Sequence, residues 1–152
     1  MKTMQHLFAT CCLVLWWFVP QNVAAQGHYS FPLKDSTRQY VRLLFAGDAM
    51  QHSVQFKWAW DAKNRQYDYE PNFRYLRPYM ADADVSLVNF ETTLSGKPYG
   101  GYPKFRTPDA FFGALVDAGF QIFALANNHI LDGDKRGMQR TLRKMSAYPT
   151  MG

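Results

Sequence analysis

Three apolar, β-prone segments recur along the chain, and each ends in a cluster of polar residues. They cover residues 40–46, which run into Gly47 and Asp48, residues 84–90 and residues 120–126. Short apolar runs that stop at turn-forming or polar residues are typical of buried strands. The pattern therefore predicts three strands, each of which presents polar side chains at its carboxyl end.

Segments with helical periodicity alternate with these strands. Residues 71–81 have apolar side chains at helical spacing, and residues 107–118 are bounded by Thr107 as N-cap and Gly119 as the terminating glycine. Residues 137–147 form the last predicted helix. Its apolar face consists of Met138, Leu142 and Met145. Alternating strands and helices predict an α/β fold with a largely parallel sheet covered by helices.

The segment between the first strand and the first helix, residues 49–70, is rich in aromatic residues. Phe56, Trp58 and Trp60 alternate with polar or small residues at a period of two, which predicts a hairpin or a strand face packed on the domain. A stacking platform for a polymer is the alternative interpretation. Residues 95–106 contain three glycines and two prolines, so we expect a surface loop long enough to line a site.

Residues 1–25 have the features of a secretory signal peptide. Lys2 gives a positive amino-terminal region, an apolar run extends from Leu7 to Val19, and residues 23–25 supply small residues for cleavage. A permanent membrane helix is the alternative, although a span requires about 20 apolar residues. We expect residues 26–39 to be a linker, residues 40–152 to be the domain, and the protein to be extracytoplasmic, with membrane association if the signal stays uncleaved.

Composition narrows the classes of protein. The chain has 152 residues, 47% hydrophobic residues and a net charge of +5, which excludes a disordered, collagen-like or polytopic membrane protein. Because Cys11 and Cys12 lie in the apolar amino-terminal run, the mature domain is expected to lack disulfides and cysteine-ligated zinc. The excess of basic residues is compatible with an anionic partner, and equally with a surface charge that only keeps the protein soluble. No basic helix or binding motif points to a nucleic-acid partner.

Residues that can bind metal follow all three predicted strands. They are Asp48 with His52, Asn89 with Glu91, and Asn128 with His129. Because the carboxyl ends of parallel strands share one sheet edge, these residues can converge there. Carboxylates, an imidazole and amide oxygens suit a divalent ion such as Mn²⁺, Zn²⁺, Fe²⁺ or Mg²⁺. Taken singly, each residue also fits an ordinary role as a turn former, a loop cap or a hydrogen-bonded histidine.

Four strings, in this order, resemble the CapA family of bacterial capsule or poly-γ-glutamate biosynthesis proteins, which is similar in fold to the calcineurin-like metallophosphoesterases. They are GDAMQH (47–52), ADVSLVNFETTLSG (83–96), YPKFRTPDAFFGALVDAGF (102–120) and ALANNHILDGDKRGMQRTL (124–142). The resemblance covers residues 41–152 and implies a metallo-dependent phosphatase-like sandwich. Two positions depart from the pattern: Asp134 stands where the family usually has glycine, and His52 follows Asp48 at a longer spacing than in the phosphoesterases.

The resemblance also implies roles for individual residues. The metal ligands would be Asp48, His52, Glu91 and Asn128. His129 would contact the reacting oxyanion as an acid or hydrogen-bond donor, and Asp132 would orient His129. The expected substrate contacts are Asn89, Lys104 and Arg106.

Members of this family are longer, and their later histidine motifs have no counterpart in this sequence. We therefore expect the chain to hold the amino-terminal half of a two-sheet sandwich, with one sheet face uncovered. Residues 148–152 are expected to approach another strand.

The leading functional hypothesis is a metal-dependent, hydrolase-like protein of capsule or poly-γ-glutamate assembly, which would act with the assembly machinery on an anionic polymer or a phosphorylated substrate. One alternative is a non-catalytic module for binding and exporting an anionic polymer. Its basic residues would be Lys57, Lys63, Arg65, Arg74 and Arg77. A generic secreted phosphoesterase is a further alternative. Metal content of the purified protein separates the catalytic from the non-catalytic hypothesis.

Overall fold

The computed structural model describes Thr37 and residues 40–151. The elements, in chain order, are β1 (Leu43–Asp48), α1 (Ser53–Trp58), β2 (Trp60–Asp61), β3 (Gln66–Tyr67), α2 (Glu70–Phe73), α3 (Arg77–Asp82), β4 (Val85–Asn89), α4 (Asp109–Ala118), β5 (Ile122–Ala124), α5 (Asp134–Lys144) and β6 (Thr150–Met151). The predicted signal peptide, both cysteines and the predicted linker apart from Thr37 lie outside the described residues. No helix in the described part of the chain is long and apolar enough to cross a membrane.

The main sheet has four strands in the order β1-β4-β5-β6, and every neighbouring pair is parallel. The predicted α/β class with a largely parallel sheet is confirmed, and it is consistent with part of a metallophosphatase-like fold. Residues 150–151 form the fourth strand beside β5, where the sequence predicted the approach to a strand. Strands β2 and β3 form a separate antiparallel hairpin.

The hydrophobic core lies between the helices and one face of this sheet. Val88 of β4 and Phe123 of β5 are register partners, and both are buried. The ring of Phe112 in α4 packs edge-to-face on Phe123 at 4.9 Å, and Phe90 packs on Phe123 at 6.4 Å. Burial of each such side chain stabilises the fold by about 1.5–3 kcal/mol.

The opposite face of the sheet carries apolar side chains that the described residues leave accessible. Leu43 and Phe45 of β1 are 55% and 70% exposed. Their register partners on β4, Val85 and Leu87, are only partly buried. Within the described residues, the helices therefore cover one face of the sheet, and alternate residues of each strand point away from the core.

Two predictions for residues 49–81 were wrong in detail. Phe56 and Trp58 lie in helix α1, not in a strand, and the hairpin begins only at Trp60. Residues two apart lie on different sides of a helix, which explains why Phe56 is half-buried while Trp58 is 87% exposed. The predicted helix 71–81 is divided into α2 and α3 because Pro78 has no N–H and is tolerated only in a first helical turn.

The boundaries of the last two long helices also differ from the prediction. The N-cap of α4 is Pro108 and not Thr107, whereas Gly119 ends the helix in a left-handed conformation with φ of 112°, as predicted. Helix α5 begins at Asp134, three positions earlier than expected. Of the predicted apolar face, Met145 is fully buried at the end of the helix, whereas Met138 is only half-buried and Leu142 is exposed. The buried residues within the helix are Gly137 and Thr141, and the helix lies so close to Ser95 that a Cβ at Gly137 would be 2.8 Å from Cβ of Ser95.

Two glycines at α4 make a matched pair for testing this packing. We expect Gly119→Ala to lower the free energy of unfolding by about 1–3 kcal/mol, because the alanine would have positive φ and its Cβ would meet Met80 Cβ at 2.8 Å. Gly113→Ala within α4 meets no atom within 4 Å and should stabilise the protein by about 0.5–1 kcal/mol. Urea denaturation of both variants measures the difference, and equal effects would contradict this packing.

Candidate functional site

The carboxyl ends of β1 and β4 bring two of the predicted site residues side by side. Phe45 pairs with Leu87, but the next pair along the strands is Asp48 with Asn89, so β1 contains one extra residue at Ala46-Gly47. Without this bulge Gly47 would lie opposite Asn89, and the Asp48 carboxylate would point to the other side of the sheet. The bulge therefore places Asp48 at the site.

The Asn89 side-chain amide joins both carboxylates of the site. Its Nδ2 donates hydrogen bonds to Asp48 Oδ1 at 2.8 Å and to Glu91 Oε2 at 2.9 Å. Its Oδ1 accepts a hydrogen bond from Asn127 Nδ2 at 3.0 Å. Both donor hydrogens of the amide are thus used within the site, so the observed role of Asn89 is to bridge two acidic side chains, while the predicted substrate contact stays a prediction.

Burial and the neighbouring Asp48 carboxylate affect the protonation of Glu91. The side chain of Glu91 is only 15% exposed. Burial, and then the neighbouring Asp48 carboxylate, raise the pKa of Glu91 above its ordinary value of 4.5, while His129 and Asn89 act in the opposite direction. Negative charge at this edge of the sheet is therefore incompletely compensated, and a cation beside the pair would be favoured electrostatically.

His129 lies next to this pair and is held from its other side. Its Nε2 is 3.8 Å from Glu91 Oε1, and its Nδ1 is 2.7 Å from Asp132 Oδ2. The backbone N–H of His129 donates to Asn127 Oδ1 at 3.0 Å, and Asn127 Nδ2 also donates to the carbonyl of Phe90. Because Nδ1 is held by the Asp132 carboxylate, Nε2 is the ring nitrogen that faces the glutamate and can exchange a proton at the site.

Helix α5 holds the segment that follows Glu91. Thr141 Oγ1 accepts the backbone N–H of Leu94 at 2.9 Å and donates to the carbonyl of Gly137 at 2.9 Å. Arg140 donates to the carbonyl of Leu94 and to both carboxylate oxygens of Asp109, at 2.7 and 2.9 Å. The position of Glu91 therefore depends on a helix that contributes no ligand to the site.

The structure distributes the remaining predicted site residues around this centre. His52 is exposed, and its ring contacts Phe105 at 5.3 Å between centroids. Asn128 and Lys104 are exposed, and Arg106 is half-buried. None of these four side chains takes part in the hydrogen-bonded network formed by the described residues at Asp48, Glu91 and His129. Their roles as ligands or substrate contacts stay predictions.

Sequence reasoning missed three residues that the structure places at the site. Asn127 bonds to Asn89, whereas its neighbour Asn128 was the predicted ligand. Phe105 contacts His129, and Thr141 holds Leu94. The pair of adjacent asparagines in the sequence could have pointed to Asn127. Nothing in the hydrophobic pattern distinguishes Phe105 or Thr141 from ordinary packing residues.

The carboxylate pair fits part of a divalent metal site. Within residues 40–151, no cluster of three or more His, Cys, Asp or Glu side chains could hold a metal ion by itself. Asp48 and Glu91 nevertheless offer converging hard oxygen donors and excess negative charge. The described residues therefore fit two of the ligands that such an ion requires.

The pKa of Glu91 predicts an unusual pH dependence of stability. A raised native pKa means that folding binds protons, so the native state loses stability as the pH rises above 4.5. In metal-free buffer we expect Glu91→Gln to raise the melting temperature at neutral pH, with the gain disappearing as the pH falls to 4.5. Thermal unfolding across this pH range is the measurement.

Asp109→Asn is the control of opposite sign. Hydrogen bonding from Arg140 lowers the pKa of Asp109 below its ordinary value of 3.8. Its charged form is therefore stabilising above that value, and the benefit is lost as the pH falls through the native pKa. Asp109→Asn should be less stable than the wild type at neutral pH. A Glu91→Gln variant that is also destabilised at neutral pH would contradict the proposed charge repulsion.

Thr141 offers a test of how α5 holds the loop. Thr141 is fully buried, and Thr141→Val would leave the Leu94 N–H without its acceptor at nearly constant volume. We expect a loss of about 1–3 kcal/mol in the free energy of unfolding, measured by urea denaturation. Thr141→Ser keeps the hydroxyl and removes one methyl group, so a serine variant less stable than the valine variant would show that packing, not the hydrogen bond, holds the loop.

Comparison with known proteins identifies the family. Residues 42–150 match the profile described as bacterial capsule synthesis protein PGA_cap. The chain is also 25% identical, over 118 residues, to the capsule biosynthesis protein CapA of Bacillus anthracis. That alignment covers 74% of this chain, which spans only 28% of the length of that relative. Because the family profile covers most of the sequence, the chain belongs to the bacterial capsule synthesis protein family, as its resemblance to CapA indicated.

Proposed function

We propose that this chain contributes part of a metal-dependent, hydrolase-like site to an extracytoplasmic protein of capsule biosynthesis. The observation that carries the proposal is the convergence of Asp48 and Glu91 on one Asn89 amide, with His129 Nε2 3.8 Å from Glu91. The three side chains come from segments about 40 residues apart, and they meet at the edge where parallel sheets place their chemistry.

Each residue would have a separate task in this site. Asp48 and Glu91 would bind a divalent cation, and Asn89 would keep the two carboxylates together in its absence. Such a cation, when bound, makes a coordinated water molecule nucleophilic near neutral pH. The Nε2 atom of His129 would hold or donate a proton to the reacting oxygen, while Asp132 fixes the imidazole through Nδ1.

The substrate would be an anionic capsule polymer or its phosphorylated precursor. Lys104 and Arg106 flank Phe105, whose ring contacts His129, so the loop that reaches the site carries two basic residues suited to an anionic substrate. Membership of the capsule synthesis family supports a role in capsule assembly. The apolar amino-terminal segment supports an extracytoplasmic location.

A non-catalytic module that binds an anionic polymer is the second candidate. One observation favours it: all five basic residues proposed for that role are exposed. They are Lys57, Lys63, Arg65, Arg74 and Arg77. The guanidinium of Arg74 lies 4.9 Å from the centre of the Tyr75 ring, which is itself exposed. Binding through this surface would weaken with added salt and would not require Asp48 or Glu91.

Titration of the full chain with Mn²⁺ alone tests the metal site. We expect Asp48→Asn and Glu91→Gln each to weaken binding by about 10- to 100-fold or more, because each removes an anionic oxygen donor. Isothermal titration calorimetry, supported by elemental analysis of the purified chain, provides the measurement.

The matched controls are Asp117→Asn and Glu70→Gln, which neutralise exposed carboxylates outside the site. Both should bind Mn²⁺ as the wild type does. Equal affinities for all five proteins would defeat the metal-site proposal. Polymer binding that is salt-sensitive and indifferent to Asp48 and Glu91 would then favour the non-catalytic module.

A further inference from the structure

We infer that Phe105 is a positioning residue that fixes the His129 imidazole against Glu91. The inference rests on the proposed function only for its catalytic consequence, because the geometry itself is present in the described residues. Phe105 lies between Lys104 and Arg106, the two expected substrate contacts, but it is 1% exposed while Lys104 is exposed and Arg106 half-buried. The chain therefore turns this one side chain of the loop inwards.

The ring of Phe105 packs against two histidines. Its centroid is 4.6 Å from that of His129 and 5.3 Å from that of His52, with an interplanar angle of 86° in both contacts. Although Phe105 is buried, it does not belong to the hydrophobic core cluster of the described residues. Edge-to-face contacts prefer a defined mutual orientation, so this ring restrains the rotation of the imidazole.

The backbone of Phe105 holds the same histidine through a second route. Its N–H donates to Asp132 Oδ2 at 2.5 Å, and this oxygen is also the partner of His129 Nδ1 at 2.7 Å. The aspartate is thus fixed by a backbone group that does not rotate. Through its ring and its N–H, Phe105 therefore restrains both the imidazole and the carboxylate partner of that imidazole.

The carbonyl of Phe105 links the loop to the segment that carries Glu91. It accepts hydrogen bonds from the Thr93 N–H at 3.2 Å and from Thr93 Oγ1 at 3.1 Å. Thr93 is two residues after Glu91 in the sequence. Phe105 therefore contacts segments that follow all three strand ends of the site, and it sets the distance between His129 and Glu91 through contacts on both sides.

This arrangement matters for catalysis because an imidazole attached through one hydrogen bond can still pivot about it. A displacement of about 1 Å of a reacting group can reduce the rate by about 100-fold. The ring of Phe105 supplies the second constraint, which leaves Nε2 directed at the site. Leucine would keep an apolar side chain at this position but would lose the aromatic ring whose edge-to-face contact defines the orientation.

The experiment compares Phe105→Leu, Phe105→Tyr and the core control Phe123→Leu in the full chain. NMR of the histidine side chains supplies a readout that does not need activity. In the wild type we expect nuclear Overhauser contacts between the Phe105 and His129 rings, and nitrogen shifts of a His129 tautomer protonated at Nδ1. In Phe105→Leu we expect the His129 ring signals to shift and broaden and the tautomers to mix. Phe105→Tyr keeps the ring and should retain the wild-type signature, as should Phe123→Leu.

Activity forms a separate part of the experiment, with a chromogenic phosphodiester and Mn²⁺ as the probe. Phe105→Leu should lower kcat by about 10- to 100-fold while KM changes by less than about threefold, and Phe105→Tyr should restore kcat to within about threefold of the wild type. Mn²⁺ affinity should be unchanged in all three variants, because none alters Asp48 or Glu91.

The outcomes separate the inference from the proposed function. Absence of turnover or of Mn²⁺ binding by the wild type would defeat the proposed function, while the NMR comparison would still decide the positioning role. Unaltered His129 signals in Phe105→Leu, or equal perturbation in Phe123→Leu, would overturn the inference. If Phe105→Leu does not fold, the inference is tested on the wild type and on Phe105→Tyr. The absence of nuclear Overhauser contacts between Phe105 and His129 in the wild type would then overturn the inference.

Discussion

The site depends on the placement of two carboxylates beside each other at the edge of a parallel sheet. Burial of Glu91, and then the neighbouring carboxylate of Asp48, raise the pKa of Glu91. The amide of Asn89 makes the pair tolerable because one NH₂ group donates to both acids. Placing two carboxylates side by side costs stability. Such unfavourable arrangements are typical of binding and catalytic centres, where interactions elsewhere in the fold offset the cost.

The surrounding structure supplies that offset through contacts that do not touch the reacting groups. Thr141 and Arg140 hold the backbone at Leu94, and Arg140 is itself paired with Asp109 of the neighbouring helix. The small residues of α5 allow its close approach to Ser95, since a Cβ at Gly137 would collide with that side chain. Close packing and buried hydrogen bonds therefore transmit the rigidity of two helices to a loop.

Much of the scaffold could be predicted from the sequence because its signals are local. The strands at 43–48, 85–89 and 122–124 coincide with apolar runs, and Gly119 ends α4 because only glycine adopts positive φ readily. The bulge before Asp48 could not be predicted, because it depends on how β1 aligns with β4 and not on either strand alone. The sequence also could not predict which of Asn127 and Asn128 lies at the site, because the two adjacent residues are chemically identical and only the folded backbone sets where each side chain points. Phe105 lies in a segment that the sequence predicted to be a surface loop, and only the structure shows that its ring contacts His129.

The site is also unevenly supported, and the difference follows from strand order. Glu91 and His129 follow the inner strands β4 and β5, and helix or loop contacts hold them on several sides. Asp48 ends β1, an edge strand of the described sheet, and it is itself exposed. Its restraints include the Asn89 amide and two backbone hydrogen bonds next to it. The Ala49 N–H donates to the carbonyl of Asn89 at 2.7 Å, and the Glu91 N–H donates to the carbonyl of Ala49 at 3.1 Å. The Asn89 side chain and these backbone hydrogen bonds therefore act together: the backbone aligns the segments that carry the two acids, and the amide holds the two carboxylates beside each other.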